Sequence, residues 1–128
     1  MKLPVDAPTS SATAPPDLLP ERVDLVVIDV SFISLRLVLP ALPPLAKPGA
    51  PVVALVKPQF EVGRADVGKG GIVRDDAARA RALAEVRAAA AALGYDVGAD
   101  TVSPITGGKG NVEYLLALRA PAAGVAPR

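Results

Sequence analysis

With no histidine and no cysteine in its 128 residues, this chain must do any chemistry through lysine, arginine, carboxylates, hydroxyls or amides. That removes imidazole acid/base work, thiolate nucleophiles, disulfide frameworks and the usual zinc cages. Three ionisable residues stand out for where they fall. Asp29 ends the apolar run Leu25-Val26-Val27-Ile28, Lys57 ends a second run from Val52 to Val56, and Glu113 opens a third that reaches Arg119. An amine between two carboxylates offers a cation to a developing oxyanion, or a proton acceptor where burial disfavours its charged form. Taken singly, each is an ordinary turn residue beside a strand. They make a site only if the fold brings them together.

Whether they meet is a question of topology. Continuous β-branched runs without polar alternation suit parallel strands buried on both faces. Between the first two runs, Leu35 to Ala46 predicts a short helix ahead of the turn at Lys47-Pro48-Gly49. A longer helix follows: Asp75 or Asp76 is its N-cap, Leu83, Val86, Ala90 and Leu93 recur at helical spacing, Arg79, Arg81, Glu85 and Arg87 form its solvated face, and Gly94 stops it. Tyr95 to Ser103 reads as a third strand and Glu113 to Arg119 as a fourth. The segment from Pro104 to Asn111 leaves no room for a helix, so the fourth strand must run against the third, while the helix-connected strands run parallel through right-handed crossovers. The predicted fold is α/β, a mixed sheet with three parallel strands and one antiparallel final strand. Ligands of such sheets collect at the carboxyl ends of the parallel strands. A reversed fourth strand returns Glu113 to the rim that already holds Asp29 and Lys57.

Composition bounds the partners. Fourteen Lys plus Arg against 13 Asp plus Glu leave a net charge of +1, so bulk charge does not advertise a polyanion. Apolar residues at 51% suffice for a core, but aromatics at 3% limit any base-stacking platform to Phe32, Phe60, Tyr95 and Tyr114. Residues 1–21, with Pro4, Pro8, Pro15, Pro16 and Pro20, read as an unstructured leader, residues 22–120 as the folded unit and 121–128 as a disordered tail. No secretory signal and no run near the ~18 apolar residues of a spanning helix is visible, which predicts a cytoplasmic chain away from the membrane. Gly63 to Lys69 nearly spells a phosphate-binding P-loop, yet Gly70 stands where Ser or Thr is needed. It reads instead as a solvated loop whose Arg64, Lys69 and Arg74 can contact phosphate.

Four segments follow one another in fixed order: Val27-Ile28-Asp29-Val30-Ser31-Phe32-Ile33-Ser34-Leu35, Leu55-Val56-Lys57-Pro58-Gln59-Phe60-Glu61, Gly70-Gly71-Ile72-Val73-Arg74-Asp75, and Gly107-Gly108-Lys109-Gly110-Asn111-Val112-Glu113-Tyr114. Over about Arg22 to Ala120 the chain thereby resembles the hemolysin A (TlyA) family of FtsJ-like ribosomal RNA methyltransferases. The resemblance implies a partial Rossmann-like methyltransferase fold, S-adenosylmethionine as cofactor, methyl transfer to a ribose 2′-hydroxyl, and a Lys-Asp-Lys-Glu tetrad. Asp29, Lys57 and Glu113 match its last three members. It further implies that Asp29 and Val30 border the cofactor and that ribosomal RNA or ribosomal subunits are the partner; Arg64, Lys69 and Arg74 of the solvated loop are the candidate RNA contacts, and no metal-ligating residue is singled out.

The family's glycine-rich cofactor turn and first tetrad lysine have no match, so the chain reads as the carboxyl half of the catalytic domain, doubtful in activity alone. Leu25 to Ile28 is then an uncharged sheet edge inviting a homodimer or aggregation. Rival readings are the same fold acting on a small molecule, a pore-forming hemolysin-like protein, and a non-catalytic partner of a separate amino-terminal piece.

Overall fold

The computed structural model describes residues 19–122; the expected leader up to residue 18 and the tail beyond residue 122 lie outside the described residues. Four strands, β1 (Val26–Ile28), β2 (Pro51–Val56), β3 (Asp96–Val102) and β4 (Tyr114–Arg119), alternate with two helices, α1 (Leu35–Val38) and α2 (Asp76–Ala92). The strands form one sheet in the order β1-β2-β4-β3. β1 pairs parallel with β2, and β4 lies antiparallel to both β2 and β3. β1, β2 and β3 therefore share one direction and β4 opposes them.

The β2–β4 register fixes the rim. Val56 pairs with Tyr114, so the residue after β2 and the residue before β4, Lys57 and Glu113, arrive side by side. Ile28 pairs with Ala54, which places Asp29 one strand further along the same edge. Side chains alternate across a sheet. By that alternation Asp29, Lys57 and Glu113 continue the face of Val27, Leu55 and Leu115.

The opposite face carries the core. Ile28, Val52, Ala54, Val56, Leu116 and Leu118 pack there against Leu35 and Leu39 of the α1 region and Val86 and Ala90 of α2. Helix α2 is capped by the Asp75 carboxylate, which accepts from the Ala77 amide. It buries Ala78, Ala82, Val86 and Ala90, a stripe of small side chains that lets the helix lie close to the sheet. Gly94, at φ +93°, supplies the left-handed turn that ends it. No helix among the described residues is long and apolar enough to cross a membrane.

Two sequence expectations need correction. Burial of the strands on both faces is not found: Val27 is 70% exposed, and Val53, Leu55 and Leu115 are only half-buried. The crossovers from β1 to β2 and from β2 to β3 advance in the same direction across the sheet, and the right-handed rule then puts both helices on one face. The helix expected from Leu35 to Ala46 closes after Val38 and continues as a 3-10 turn over Leu39–Ala41. Pro40 has no N–H to donate, and Pro43 and Pro44 stop any recovery.

Tyr95 ties the two helical regions together. Its ring is buried and its hydroxyl donates to the Leu39 carbonyl at 2.5 Å. Burial pushes the phenol pKa well above its ordinary value, so it stays a neutral donor. Tyr95→Phe would leave that carbonyl unpaired, and we expect a loss of about 1–3 kcal/mol in urea unfolding with the far-ultraviolet dichroism unchanged; unaltered stability would contradict the packing described.

Candidate functional site

Lys57 is the centre of the rim. Its side chain is 12% exposed, its amine lies 2.6 Å from a carboxylate oxygen of Asp29, and it donates to the Ser31 hydroxyl at 3.2 Å. Asp29, by contrast, is 64% exposed. One arm of the ion pair is held in the protein while the other stays open to a ligand. Glu113 is only 4% exposed and accepts from Gln59 Nε2 at 3.0 Å.

Lys57 and Glu113 line two neighbouring cavities. The first, about 410 Å³, is bordered by Ser31, Phe32, Phe60, Lys109 and Asn111. The second, about 540 Å³, is bordered by Asp29, Leu55, Thr106 and Leu115. Lys57 and Glu113 thus stand in the wall shared by the two spaces. All three residues expected to converge do so.

Backbone strain is concentrated at the first cavity. Among the described residues, Phe32 (φ +65°) and Lys109 (φ +60°) are left-handed without being glycine, and both border it. Such conformations cost about 1–2 kcal/mol each and persist where the surroundings over-determine them. Phe32 is 89% exposed, its ring centroid 5.0 Å from that of Phe60. Phe32 and Phe60 therefore form a small aromatic ledge beside the cavity. Glu61 fastens this loop from behind: its buried carboxylate accepts from the Ser34 hydroxyl at 2.6 Å and from the Leu35 amide at 2.8 Å.

Asn111 joins two loops that no sequence spacing connects. Its Oδ1 accepts from the Val73 amide at 2.9 Å, and its Nδ2 donates to the carbonyls of Gly71 and Gly108, each at 3.0 Å. The loop expected to contact phosphate is pinned beside the cavity by these bonds. Within it Arg64 and Lys69 are exposed, whereas Arg74 turns back to donate to the Lys69 carbonyl at 3.2 Å. Val30 is half-buried and packs on the core beside Asp29. Gln59, Asn111, Phe32 and Lys109 were missed as site residues. The run of Gly and Asn around Lys109 and an apolar Phe32 between serines were the signals present in the sequence.

A family profile described as FtsJ-like methyltransferase matches residues 5–120. The chain is 51% identical over 110 residues to a Bacillus subtilis protein provisionally named rRNA methyltransferase YqxC, an alignment covering 86% of this chain and 39% of that protein. It is 50% identical over 111 residues to the 16S/23S rRNA (cytidine-2′-O)-methyltransferase TlyA of Mycobacterium tuberculosis, covering 87% and 41%. Among solved structures, a Streptococcus thermophilus protein with a provisional hemolysin name superposes at TM-score 0.80 and 44% identity, over 89% of this chain and 42% of that one. The chain spans about two fifths of the length of these relatives.

Asn111→Ala should free the Val73 amide from its side-chain partner while the sheet persists. We expect hydrogen exchange at Val73 to accelerate by on the order of tenfold or more, with amides of β2 and β4 little changed; unchanged exchange at Val73 would mean the two loops are not joined through this residue.

Proposed function

The chain belongs to the FtsJ-like methyltransferase family, and from that premise we propose that it carries the acceptor side of a site that methylates a ribose 2′-hydroxyl of ribosomal RNA. The observation that carries this reading is the Lys57 amine, 2.6 Å from Asp29 and in the wall it shares with Glu113 between two cavities. S-adenosylmethionine, when bound, supplies an electrophilic methyl. The described residues fit it at one point: the open Asp29 carboxylate suits a cationic sulfonium, with Val30 beside it.

A ribose hydroxyl is too weakly acidic to attack unaided. Lys57, oriented by Asp29 and Ser31, presents its ammonium Nζ to the hydroxyl oxygen as the cation that stabilises the developing alkoxide. Glu113, enclosed on the other side, accepts the hydroxyl's hydrogen bond and fixes its direction. Phe32 and Phe60 give the attached base an apolar ledge, which is how single-stranded RNA is commonly held. Lys109, Arg64 and Lys69 offer charge to neighbouring phosphates.

Two further parts of the reading concern the whole protein. The fold serves as a Rossmann-like methyltransferase unit, and ribosomal RNA is its substrate. The sheet edge at β1, with Val27 exposed, favours self-association of the isolated chain.

In a form of the protein that methylates ribosomal subunits, Lys57→Ala should lower that transfer by on the order of 10² to 10⁴ fold, with S-adenosylmethionine affinity nearly unchanged; wild-type turnover would remove Lys57 from the mechanism. Replacing Arg64 and Lys69 together by alanine should flatten the slope of log affinity for RNA against log salt by about 0.7 for each phosphate no longer neutralised. An unchanged slope would place the RNA elsewhere.

A further inference from the structure

We propose that Gln59 and Gly107 are positioning residues for Glu113, and that through it they give the site its preference for ribose over deoxyribose. The inference rests on the reading of the rim as a ribose site. Its starting point is that a carboxylate taken out of water needs hydrogen-bond partners. Glu113 is buried, and Gln59 Nε2, 3.0 Å from Glu113 Oε2, is the side-chain donor that meets it.

The turn that delivers Gln59 is rigid. Pro58 opens a 3-10 turn over Pro58–Phe60, closed by the Phe60 amide on the Lys57 carbonyl at 2.9 Å and the Glu61 amide on the Pro58 carbonyl at 3.0 Å. Lys57 and the residue that holds Glu113 are thus set by one short piece of backbone. The amide can face only one way, because turning it would bring its oxygen against the carboxylate. In that orientation Gln59 Oε1 is buried with no partner. An unpaired buried acceptor costs stability, so the fold alone gives no reason for glutamine here. Its hold on Glu113 does.

Gly107 makes the same point through the space it leaves at Glu113 Oε2. Its φ of −78° is open to any residue, so the backbone does not demand glycine. A Cβ at this position would fall inside the Glu113 carboxylate. Glycine leaves the space that the carboxylate fills. Held by Gln59 at Oε2 and unobstructed at Gly107, Glu113 keeps its other oxygen for a ligand in the cavities it lines. A 2′-hydroxyl can donate to that oxygen, and deoxyribose has nothing to offer it.

The test is fluorescence anisotropy of the chain with a short cytidine-containing single-stranded RNA and with its 2′-deoxy counterpart. The unaltered chain should bind the RNA on the order of tenfold more tightly than the DNA, the effect of one hydrogen bond to a charged group. Gln59→Leu should bring that ratio close to one while DNA affinity stays within about twofold, and in a Glu113→Ala background it should change the ratio no further. Gly107→Ala should also collapse the ratio, and decides the matter if circular dichroism shows Gln59→Leu unfolded. A ratio that survives in the folded variants overturns the roles of Gln59 and Gly107 while leaving the ribose reading in place. Equal loss of RNA and DNA affinity marks them as merely structural and also overturns the inference. No preference in the unaltered chain removes the ribose reading and the inference with it.

Discussion

Because β4 runs against β2 with Val56 opposite Tyr114, the residue that leaves one strand and the residue that enters the other meet at the same rim. That pairing depends on the connection between β3 and β4, which is too short and too rich in glycine to hold a crossover helix. A helix there would have carried β4 round to run parallel, and Glu113 would have begun its strand at the far edge. The Lys57–Asp29 ion pair then needs only the parallel neighbour β1 to end beside it. A partly enclosed charge is tolerable in this arrangement because it is paired with Asp29 and donates a hydrogen bond to Ser31.

Packing and reactivity occupy opposite faces of the sheet. Small side chains on α2 let that helix seat closely on one face, and the tyrosine of the α2–β3 turn bonds to the α1 region across it. The other face stays open near β1, and the charged residues rise from its rim. Strain follows the same division. Among the described residues, those left-handed without being glycine border the cavity beside Lys57, where the loops are fastened by Glu61 and Asn111.

The strands, the long helix and the convergence of Asp29, Lys57 and Glu113 were legible in the sequence because each follows from local period and from the length of one connection. What was not legible depends on contacts between distant segments. Gln59 and Glu113 are 54 positions apart and Val73 and Asn111 are 38 apart, and no spacing rule links such pairs. The single covered face was also hidden, since the runs Val52 to Val56 and Leu25 to Ile28 are apolar on both sides. Only the common direction of the two crossovers shows which side the helices take. The prolines that shorten α1 were visible, but the apolar residues around them masked their effect.

Nuclear Overhauser contacts across β2 and β4 probe the reversal most directly. The fold requires backbone proton contacts between Val56 and Tyr114 and between Ala54 and Leu116, in the closely spaced pattern of an antiparallel ladder. A parallel pattern between these strands, or no contact between Val56 and Tyr114, would separate Glu113 from Lys57 and leave the proposed site without its acid.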